Sequence, residues 1–452
     1  MIVCKFGGSS LADAQRIKRA CAIMLDDPER RVMVVSAPGI RSDVIPDRKI
    51  TDLLIELVRQ REAQSDGREY RDAVAERMTD ICRGLGLPEQ LAEELTGELD
   101  LAASRVDAQE PASRAEVLAF GERSVARLIA SYLNSTGQPA RFVDPREAGL
   151  LLTHQNGVTE ILPETYDNLA PLVLEKALII FPGFYGARRD GRTITFSRGG
   201  SDITGSILAA ALDARLYENW TDRDSIQAVN PDLIHDAVSL DEISYREIRE
   251  LAYIGFSIIH PEALEPVIRK RIPIRICNSN DPAAQGTRIV SERTHIGRIV
   301  TGIAASDRFV TINLRRVLIN QEMGILGKIL NIFTELGINV HHVPTGIDSV
   351  SIVVKEEYFS LEQELVLRHR LNQELAFEQI TVVRGLAIVM LVGEGIRDTI
   401  GVMARAATAL AQEQISVEMV MLDYFEISML FMMRSYEMVR AVSALYREFF
   451  QD

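Results

Sequence analysis

Short apolar runs alternate with amphipathic stretches along the first 295 residues of the chain. The apolar runs predict buried strands at 2–4, 31–37, 176–184, 214–219 and 272–276. Apolar positions spaced about 3.6 residues apart predict helices at 11–25, 51–61 and 203–212. Strands that alternate with helices in this way form a mainly parallel sheet covered by helices on both faces. The pattern therefore predicts an α/β fold for residues 1–295.

The last third of the chain repeats a pattern at an offset of 77 residues. Six positions agree without a gap, and they pair Gly324 with Gly401, Phe333 with Leu410, Ile338 with Ile415, Val340 with Val417, Val343 with Val420 and Ser351 with Ser428. Each copy predicts a strand, a glycine-bearing loop, a helix, two strands and a second helix. This order predicts two βαββαβ modules, at 296–378 and 379–452. A chance likeness between two amphipathic βα units is the alternative.

Composition narrows the classes of function. The chain has 452 residues, 47% of them hydrophobic and 25% charged, so two to three domains with ordinary cores are expected. The net charge of −14 argues against a nucleic-acid partner, because phosphate binding needs a basic face. No apolar stretch reaches ~18 residues and no signal-peptide pattern opens the chain, so no membrane partner is expected. The scattered cysteines (Cys4, Cys21, Cys82, Cys277) predict reduced thiols, no protein-held metal and a cytoplasmic location.

Two glycine turns carry the first candidate chemistry. KFGGSS (residues 5–10) follows the first predicted strand, and RGGSD (198–202) follows a later apolar run; each opens a predicted helix. Backbone N–H groups at such a turn can cradle phosphates. The candidate phosphate-binding residues are Lys5, Gly7, Gly8, Ser9, Gly199, Gly200 and Ser201. Asp202 either holds the Lys5 ammonium or serves only as a helix N-cap. The spacing is not that of a Walker A loop, and an ordinary βα connection is the alternative.

Further motifs occur in the same order and spacing as in a known family. They are VSA (35–37), FGE (120–122), TDRD (221–224) and HP (260–261). Together with the two glycine turns and the paired C-terminal modules, they make nearly the whole chain resemble the aspartate kinases. The resemblance implies a three-layer αβα amino-acid-kinase domain with a mainly parallel sheet. Two ferredoxin-like βαββαβ modules, called ACT domains, would follow it.

The resemblance also implies roles for matching residues. Lys5 would stabilise the phosphoryl group in flight, with Asp202 as the second catalytic residue. The residues implied to bind L-aspartate are Ser36, Thr51, Glu122 and Arg198. ATP would lie against the two glycine turns, with Thr221, Asp222 and Asp224 at its edge, and Mg²⁺ would bridge the phosphates.

Each substrate-binding residue also has a plainer interpretation. Arg198 could be a surface arginine in a loop, and Glu122 could lie on a solvated helix face. Ser36 could cap the turn after its strand, and Thr51 could be the N-cap of its own helix.

Several features depart from the family pattern. Residues 38–50 lengthen the loop between the VSA strand and Thr51. Asp232 stands where the family usually has an arginine near the nucleotide phosphates, and Ser257 stands where many members have a lysine. Lost phosphate contacts would weaken ATP binding by about 1–3 kcal/mol each.

The C-terminal modules imply regulation by a small molecule. ACT domains bind an amino acid where a strand and a helix start meet, and lysine, alone or with threonine, is the usual inhibitor in the family. The implied effector-binding residues are Met323, Gly324, Ile325, Leu326, Asn339 and Val340. The modules would also join subunits into a homodimer or homotetramer. The neighbouring His341 and His342 are predicted to point to opposite faces of one strand.

The sequence thus favours ATP-dependent phosphorylation of the L-aspartate side chain to 4-phospho-L-aspartate, the first step toward lysine, threonine and methionine. One alternative is a related amino-acid kinase with another acceptor. Another is a catalytically weak sensor in which the ACT pair binds the ligand and the kinase domain is a scaffold. The joint presence of Lys5, Glu122, Arg198 and Asp202 argues against the sensor.

Overall fold

The computed structural model describes residues 1–41, 44, 46–155, 158–197, 199–256, 261–293, 297–422 and 427–451, with the backbone alone at 261 and 262. The chain forms two compact units. The N-terminal unit comprises 1–226, 239–249 and 257–294, and the C-terminal unit comprises 227–238, 250–256 and 295–452. The predicted domain boundary at 295/296 stays a prediction; the C-terminal unit also includes 227–238 and 250–256, which lie within the predicted first domain.

The secondary structure up to residue 290 alternates strands and helices. The strands are β1 (Ile2–Phe6), β2 (Arg30–Val35), β3 (Ala140–Phe142), β4 (Leu152–Gln155), β5 (Val158–Ile161), β6 (Leu178–Pro182), β7 (Tyr185–Ala187), β8 (Thr193–Thr195), β9 (Leu216–Thr221), β10 (Ile226–Gln227), β11 (Ser239–Leu240), β12 (Glu242–Ser244), β13 (Ile274–Asn278) and β14 (Thr287–Val290). The helices are α1 (Ala14–Asp26), α2 (Ile50–Glu62), α3 (Arg68–Leu85), α4 (Glu89–Ser104), α5 (Pro111–Leu118), α6 (Phe120–Ser135), α7 (Glu164–Leu169), α8 (Gly200–Ala211), α9 (Tyr245–Tyr253) and α10 (Pro261–Lys270). Short 3₁₀ helices lie at Gly8–Leu11 and Ala170–Leu174.

An eight-stranded sheet organises the N-terminal unit, in the order β12-β14-β13-β9-β1-β2-β6-β3. Neighbouring strands are parallel except β13 and β14. In register, Phe6 of β1 lies beside Val35 of β2 and Trp220 of β9. The carboxyl ends of these three strands therefore meet at one edge, where the residues that follow them come together.

The alternation of side chains along β1 separates a core from a polar site. Ile2, Cys4 and Phe6 lie in a buried cluster with apolar residues of α1, α2, α3, α4 and α6. Val3 and Lys5 point to the other face, as the two-residue period of a strand requires. Helix α8 covers β1 there, and its Asp202 reaches Lys5. Helices on both faces of a mainly parallel sheet confirm the predicted αβα architecture.

The elements of the C-terminal unit follow the predicted repeat. They are β15 (Gly302–Arg315), α11 (Ile325–Glu335), β16 (Val340–His342), β17 (Ser349–Lys355), α12 (Leu361–Leu375), β18 (Gln379–Val392), α13 (Val402–Gln412), β19 (Met419–Met421), β20 (Ser428–Arg434) and α14 (Met438–Phe450). Gly324 and Gly401, paired by the sequence repeat, are the N-caps of α11 and α13. The repeat thus places equivalent residues at equivalent positions of two βα units.

The two repeats share one antiparallel sheet, in the order β16-β17-β15-β18-β20-β19. Strands β15 and β18 are 14 residues long and run through both halves. The second half of β15 pairs with β17, while the second half of β18 pairs with β20. The predicted module boundary at 378/379 falls at the start of β18, and as a division between domains it stays a prediction.

The predicted orientation of His341 and His342 is wrong. The register of β16 shifts between Val340 and His342, so the strict alternation of side chains fails there. The two imidazole ring centroids lie 4.5 Å apart.

The described helices include none with the length and apolar character needed to cross a membrane.

Candidate active site

The first glycine turn is built by close backbone packing at the carboxyl edge of the sheet. The Gly7 N–H donates to the Trp220 carbonyl at 3.0 Å, and the Gly39 N–H donates to the Gly8 carbonyl at 2.8 Å. A Cβ at Gly8 would lie 2.7 Å from the Ala37 carbonyl oxygen, so only glycine fits there. In the 3₁₀ helix that starts at Gly8, the Ser10 N–H donates to the Gly7 carbonyl at 3.0 Å, whereas the N–H groups of Gly8 and Ser9 precede this bond and have no intrahelical acceptor. These groups are available to an anion.

Lys5 is held by two side chains from neighbouring elements. Its Nζ lies 2.6 Å from Asp202 Oδ1 and 3.4 Å from Asn219 Oδ1. Asn219 Nδ2 in turn donates to Asp202 Oδ1 at 3.0 Å. Lys5 is only 8% exposed and Asn219 4%. The three side chains form a closed polar triangle that fixes the position of one ammonium group.

The second glycine turn opens α8 beside this triangle. Gly199 is the N-cap of α8, so the alternative in which Asp202 is the N-cap is wrong. Gly200, Ser201 and Asp202 form the first turn, whose N–H groups and dipole favour an anion. Arg198, the predicted carboxylate clamp, lies outside the described residues.

Glu122 is a buried carboxyl group with one oxygen left over. It is 5% exposed on α6, so the solvated-face interpretation is wrong. Burial raises the pKa of Glu122 to about 8, although hydrogen bonds from the backbone N–H groups of Ala37 and Glu122 oppose the shift. Among the described residues, Oε2 finds no hydrogen-bond partner. A buried oxygen without a partner is costly, and a ligand with a positively charged donor would satisfy it.

Ser36 and Thr51 come to the same place despite the long loop between them. The Ile50 N–H donates to the Pro38 carbonyl at 3.1 Å, which returns the chain to the end of β2. A Cβ at Gly121 would lie 2.7 Å from Ala37 Cβ and 3.1 Å from Ile50 Cγ2. The neighbours of Ser36, Thr51 and Glu122 are therefore in contact. Lys49 is the N-cap of α2, so the N-cap interpretation of Thr51 is wrong.

The residues after β9 join the first glycine turn through a serine pair. Ser279 donates from its N–H to the Thr221 carbonyl at 2.8 Å, and its hydroxyl lies 2.7 Å from that of Ser10. Thr221 Oγ1 donates to Asp222 Oδ1 at 3.1 Å, and Asn278 Nδ2 donates to Asp224. The predicted nucleotide-edge residues thus lie at the same edge of the sheet as Gly7 and Gly8.

Sequence reasoning missed Asn219 and Arg77. Asn219 could have been suspected, because an amide in a predicted buried strand needs a buried polar partner. Arg77 lies on α3, in a polar stretch that showed no chemistry. It is 4% exposed and donates to the Gly39 carbonyl at 3.0 Å, to the Arg48 carbonyl at 3.3 Å and to Asp47. Arg77 therefore anchors both ends of the long loop beside the glycine turn.

The predicted effector-binding residues lie in the C-terminal unit. Met323, 95% exposed, and the N-cap Gly324 precede Ile325 and Leu326 at the start of α11. Asn339 and Val340 lie at the start of the edge strand β16. Asp232 is exposed in the 227–238 segment of the same unit. Ser257 lies outside the described residues.

Comparison with known proteins identifies the family. The Amino acid kinase family model matches residues 1–278, and an ACT domain model matches 389–449. Aspartokinase 3 of Bacillus subtilis (strain 168) is 42% identical over 451 residues, which are 100% of this chain and 99% of that protein.

Solved structures agree over the whole length. Clostridium acetobutylicum aspartate kinase superposes with a TM-score of 0.86 and 31% identity, over 99% of this chain and 100% of that chain. E. coli aspartokinase III in complex with aspartate and ADP (R-state) gives 0.80 and 26%, over 99% of both chains. Its complex with lysine and aspartate (T-state) gives 0.74 and 27%, over 100% of this chain and 99% of that chain. The chain therefore belongs to the aspartokinases of the amino acid kinase family.

Proposed function

We propose that the N-terminal unit transfers the γ-phosphoryl group of ATP to the side-chain carboxylate of L-aspartate, forming 4-phospho-L-aspartate. The observation that carries the proposal is that one unit holds a fixed ammonium at Lys5 on β1 and a buried, unpartnered carboxyl oxygen at Glu122, whose neighbour Gly121 packs against Ala37 just after β2. The first group suits a phosphoryl group and the second suits the ammonium of an amino acid. The complex of E. coli aspartokinase III with aspartate and ADP supports both ligands.

The acceptor is held by complementary charge. Glu122 takes the aspartate ammonium, and the pairing satisfies its free Oε2. The proposal assigns the Ser36 and Thr51 hydroxyls to the acceptor carboxylates, because the chain neighbours of these residues contact Gly121, and it assigns Arg198 as the carboxylate clamp. Binding at this edge brings the acceptor oxygen toward Lys5, so the two reactants are positioned before the phosphoryl group moves.

Transfer itself depends on positioning and charge stabilisation. Lys5 offsets the negative charge that spreads over the phosphoryl oxygens, and Asp202 with Asn219 keeps its ammonium in place. The N–H groups of the two glycine turns hold the remaining phosphates, with Thr221, Asp222 and Asp224 at the nucleotide edge. The described residues form no cluster of three or more metal-ligating side chains, so Mg²⁺ fits here as an ion carried by the nucleotide phosphates. When bound, it neutralises phosphate charge.

The test is ADP release by the purified full-length chain with Mg-ATP and L-aspartate, L-glutamate or no acceptor. Aspartate-dependent release supports the proposal. Release that depends on glutamate instead would make the chain a kinase for another acceptor. Nucleotide binding without acceptor-dependent release would favour the sensor alternative.

Asn219 is expected to act through Lys5. Asn219→Ala removes the amide that bridges Lys5 and Asp202, so the ammonium loses its fixed position. We expect kcat to fall about 10- to 100-fold with little change in the KM for aspartate, as for other residues that orient a catalytic group. Steady-state kinetics check this. A KM increase with unchanged kcat would contradict the positioning role.

We further propose that lysine, alone or with threonine, binds at Met323–Leu326 and Asn339–Val340 in the C-terminal unit. The exposed helix start of α11 supports a carboxylate site there, and the lysine complex of E. coli aspartokinase III supports the ligand. Homo-oligomer formation through the ACT modules and a cytoplasmic location accompany this proposal as predictions.

Two glycines allow a matched test of the effector site. Gly324 and Gly401 have φ of +77° and +87°, and a Cβ at either would meet no atom within 4 Å. Alanine therefore strains both helix starts similarly without a clash. We expect Gly324→Ala to weaken lysine binding several-fold in calorimetry and Gly401→Ala to leave it unchanged. If neither lysine nor threonine gave binding heat with the unmodified chain, both would be rejected as ligands of this site.

A further inference from the structure

The N-terminal unit contains a cavity that is lined by none of the candidate active-site residues. Its volume is about 620 Å³, which is in the range of small-molecule sites. It is formed by residues of α4, α5, α6, β8 and the loop after β3. Leu101, Ala102 and Phe142 supply apolar surface. The volume and the mixed lining suit a small organic molecule.

Arginines dominate the polar lining. They are Arg105, Arg123, Arg127, Arg146 and Arg192, against the acidic residues Glu98, Glu110, Glu116 and Asp144. This local excess of positive charge occurs in a chain whose net charge is −14. With five arginines and four acids the lining carries a net charge of +1, so the binding of an anion there depends on individual arginine donors.

Ion pairs fix the arginines at the back of the cavity. Glu116 accepts from Arg123 Nη1 at 2.9 Å, from Arg146 Nη1 at 2.6 Å and from Thr193 Oγ1 at 3.0 Å. Arg146 also donates to both oxygens of Asp144, from Nε at 3.0 Å and Nη2 at 2.9 Å. These guanidinium groups are therefore held in position before any ligand arrives.

The arginines keep donors to spare. A guanidinium carries five N–H donors, yet among the described residues Arg123 bonds to side chains only through Nη1. Arg127 pairs through Nη1 with Glu98 and more distantly through Nη2 with Glu94. Arg105 makes no ion pair with any residue in the described ranges. Guanidinium donors that are free in this way can bind carboxylates or phosphates bidentately.

Two elements of the cavity continue into the active site. Arg123 follows Glu122 directly on α6. Glu122 is the proposed partner of the aspartate ammonium, whereas Arg123 lines the cavity. Thr193, bonded to Glu116, opens β8, and the chain then leads through the second glycine turn to α8. A ligand that pulls on Arg123 or displaces Glu116 therefore acts on elements that carry Glu122 and Asp202.

We propose that this cavity binds a small organic anion with two separated acidic groups and an apolar body, and that its binding changes the affinity for aspartate. The binding step stands on the cavity alone, whereas the coupling rests on the proposed function. The acidic groups pair with Arg105 and Arg127 at the mouth and with Arg123 inside, while the body packs on Leu101 and Phe142.

Calorimetry on the full-length chain tests the binding step. Isophthalate, glutarate and adipate, which carry two separated carboxylates on an apolar body, are titrated into protein saturated with ADP and aspartate, so that the active site is already filled. We expect at least one probe to bind with a Kd below about 1 mM. The double variant Arg105→Ala, Arg127→Ala should weaken that binding at least tenfold. The double variant Arg59→Ala, Arg83→Ala, which removes two exposed arginines of the same unit, should leave it unchanged.

The outcomes separate this proposal from the kinase assignment. No heat from any probe, or the same Kd in both double variants, would overturn the anion site even in an active kinase. Conversely, binding that requires Arg105 and Arg127 stands even if the chain proves inactive. For the coupling, aspartate and the bound probe must shift each other's Kd by the same factor, because linkage is reciprocal. Equal aspartate affinity with and without a saturating probe would overturn the coupling.

Discussion

Lys5→Ala is expected to lower kcat by about 10²- to 10³-fold, the usual cost of removing one preorganised charge stabiliser, or about 3–4 kcal/mol of barrier. The ammonium lies 2.6 Å from Asp202 and is largely buried, and neither Asp202 nor Asn219, the side chains that hold it, can supply a positive charge in its place. The KM for aspartate should change much less, because Lys5 acts on the phosphoryl group in the transition state rather than on the bound acceptor. Steady-state kinetics with varied aspartate measures both quantities.

The control for this variant is Lys18→Ala, which removes an exposed lysine of α1 in the same unit. It should match the unmodified chain in kcat. Circular dichroism and thermal unfolding establish that Lys5→Ala is folded, since the variant also leaves Asp202 without its cation. A folded Lys5→Ala protein with undiminished turnover would show that Lys5 is not the phosphoryl clamp.

The second large effect is expected at Glu122 and depends on pH. Burial raises the pKa of the free-enzyme Glu122 to about 8, so the carboxyl group is mostly protonated below that pH. The aspartate ammonium pairs with the ionised form. Aspartate affinity should therefore be full above about pH 8 and fall up to tenfold per pH unit below it, until the lower pKa of the bound state is reached. The quantity to measure is kcat/KM for aspartate between pH 6 and pH 9.

Glu122→Gln should abolish this pH dependence. The amide keeps the shape of the side chain but cannot pair with an ammonium, so the KM for aspartate should rise about 100-fold or more, as expected when a buried charge loses its partner. Glu93→Gln, at an exposed position on α4, is the matched control and should retain the normal profile. If kcat/KM for aspartate fell below pH 8 in Glu122→Gln as it does in the unmodified chain, the pH dependence would belong to another titratable group.

Much of the active site was predictable because it follows strand ends. A lysine in a buried strand, a glycine pair after it and an acid in the first turn of a later helix are local patterns. A parallel sheet then brings such ends together. Lys5 and Asp202 therefore could be predicted as partners, and the structure places them in contact. The role of Glu122 could be predicted only from the family resemblance, because its burial depends on how α6 packs against Ala37.

The features that could not be predicted depend on long-range packing. Arg77 lies 38 residues from the Gly39 carbonyl to which it donates, and its helix shows no local sign of that contact. The shared strands β15 and β18 look like ordinary strands of separate modules until their pairing is known. The predicted orientation of His341 and His342 was wrong because a register shift in β16 breaks the alternation of side chains on which the prediction rested. Asn219 was partly predictable, since an amide in a buried strand requires a polar partner but the sequence does not show which residue that partner is.

The most direct test of the central claim is the chemical identity of the product. The full-length chain is incubated with Mg-ATP, L-aspartate and hydroxylamine, and mass spectrometry then looks for aspartate β-hydroxamate while ADP is measured in parallel. We expect hydroxamate on the side-chain carboxylate in proportion to ADP, and a loss of both products in Lys5→Ala. Aspartate-dependent ADP without any hydroxamate would show that the phosphoryl group goes elsewhere, and would contradict transfer to the aspartate side chain.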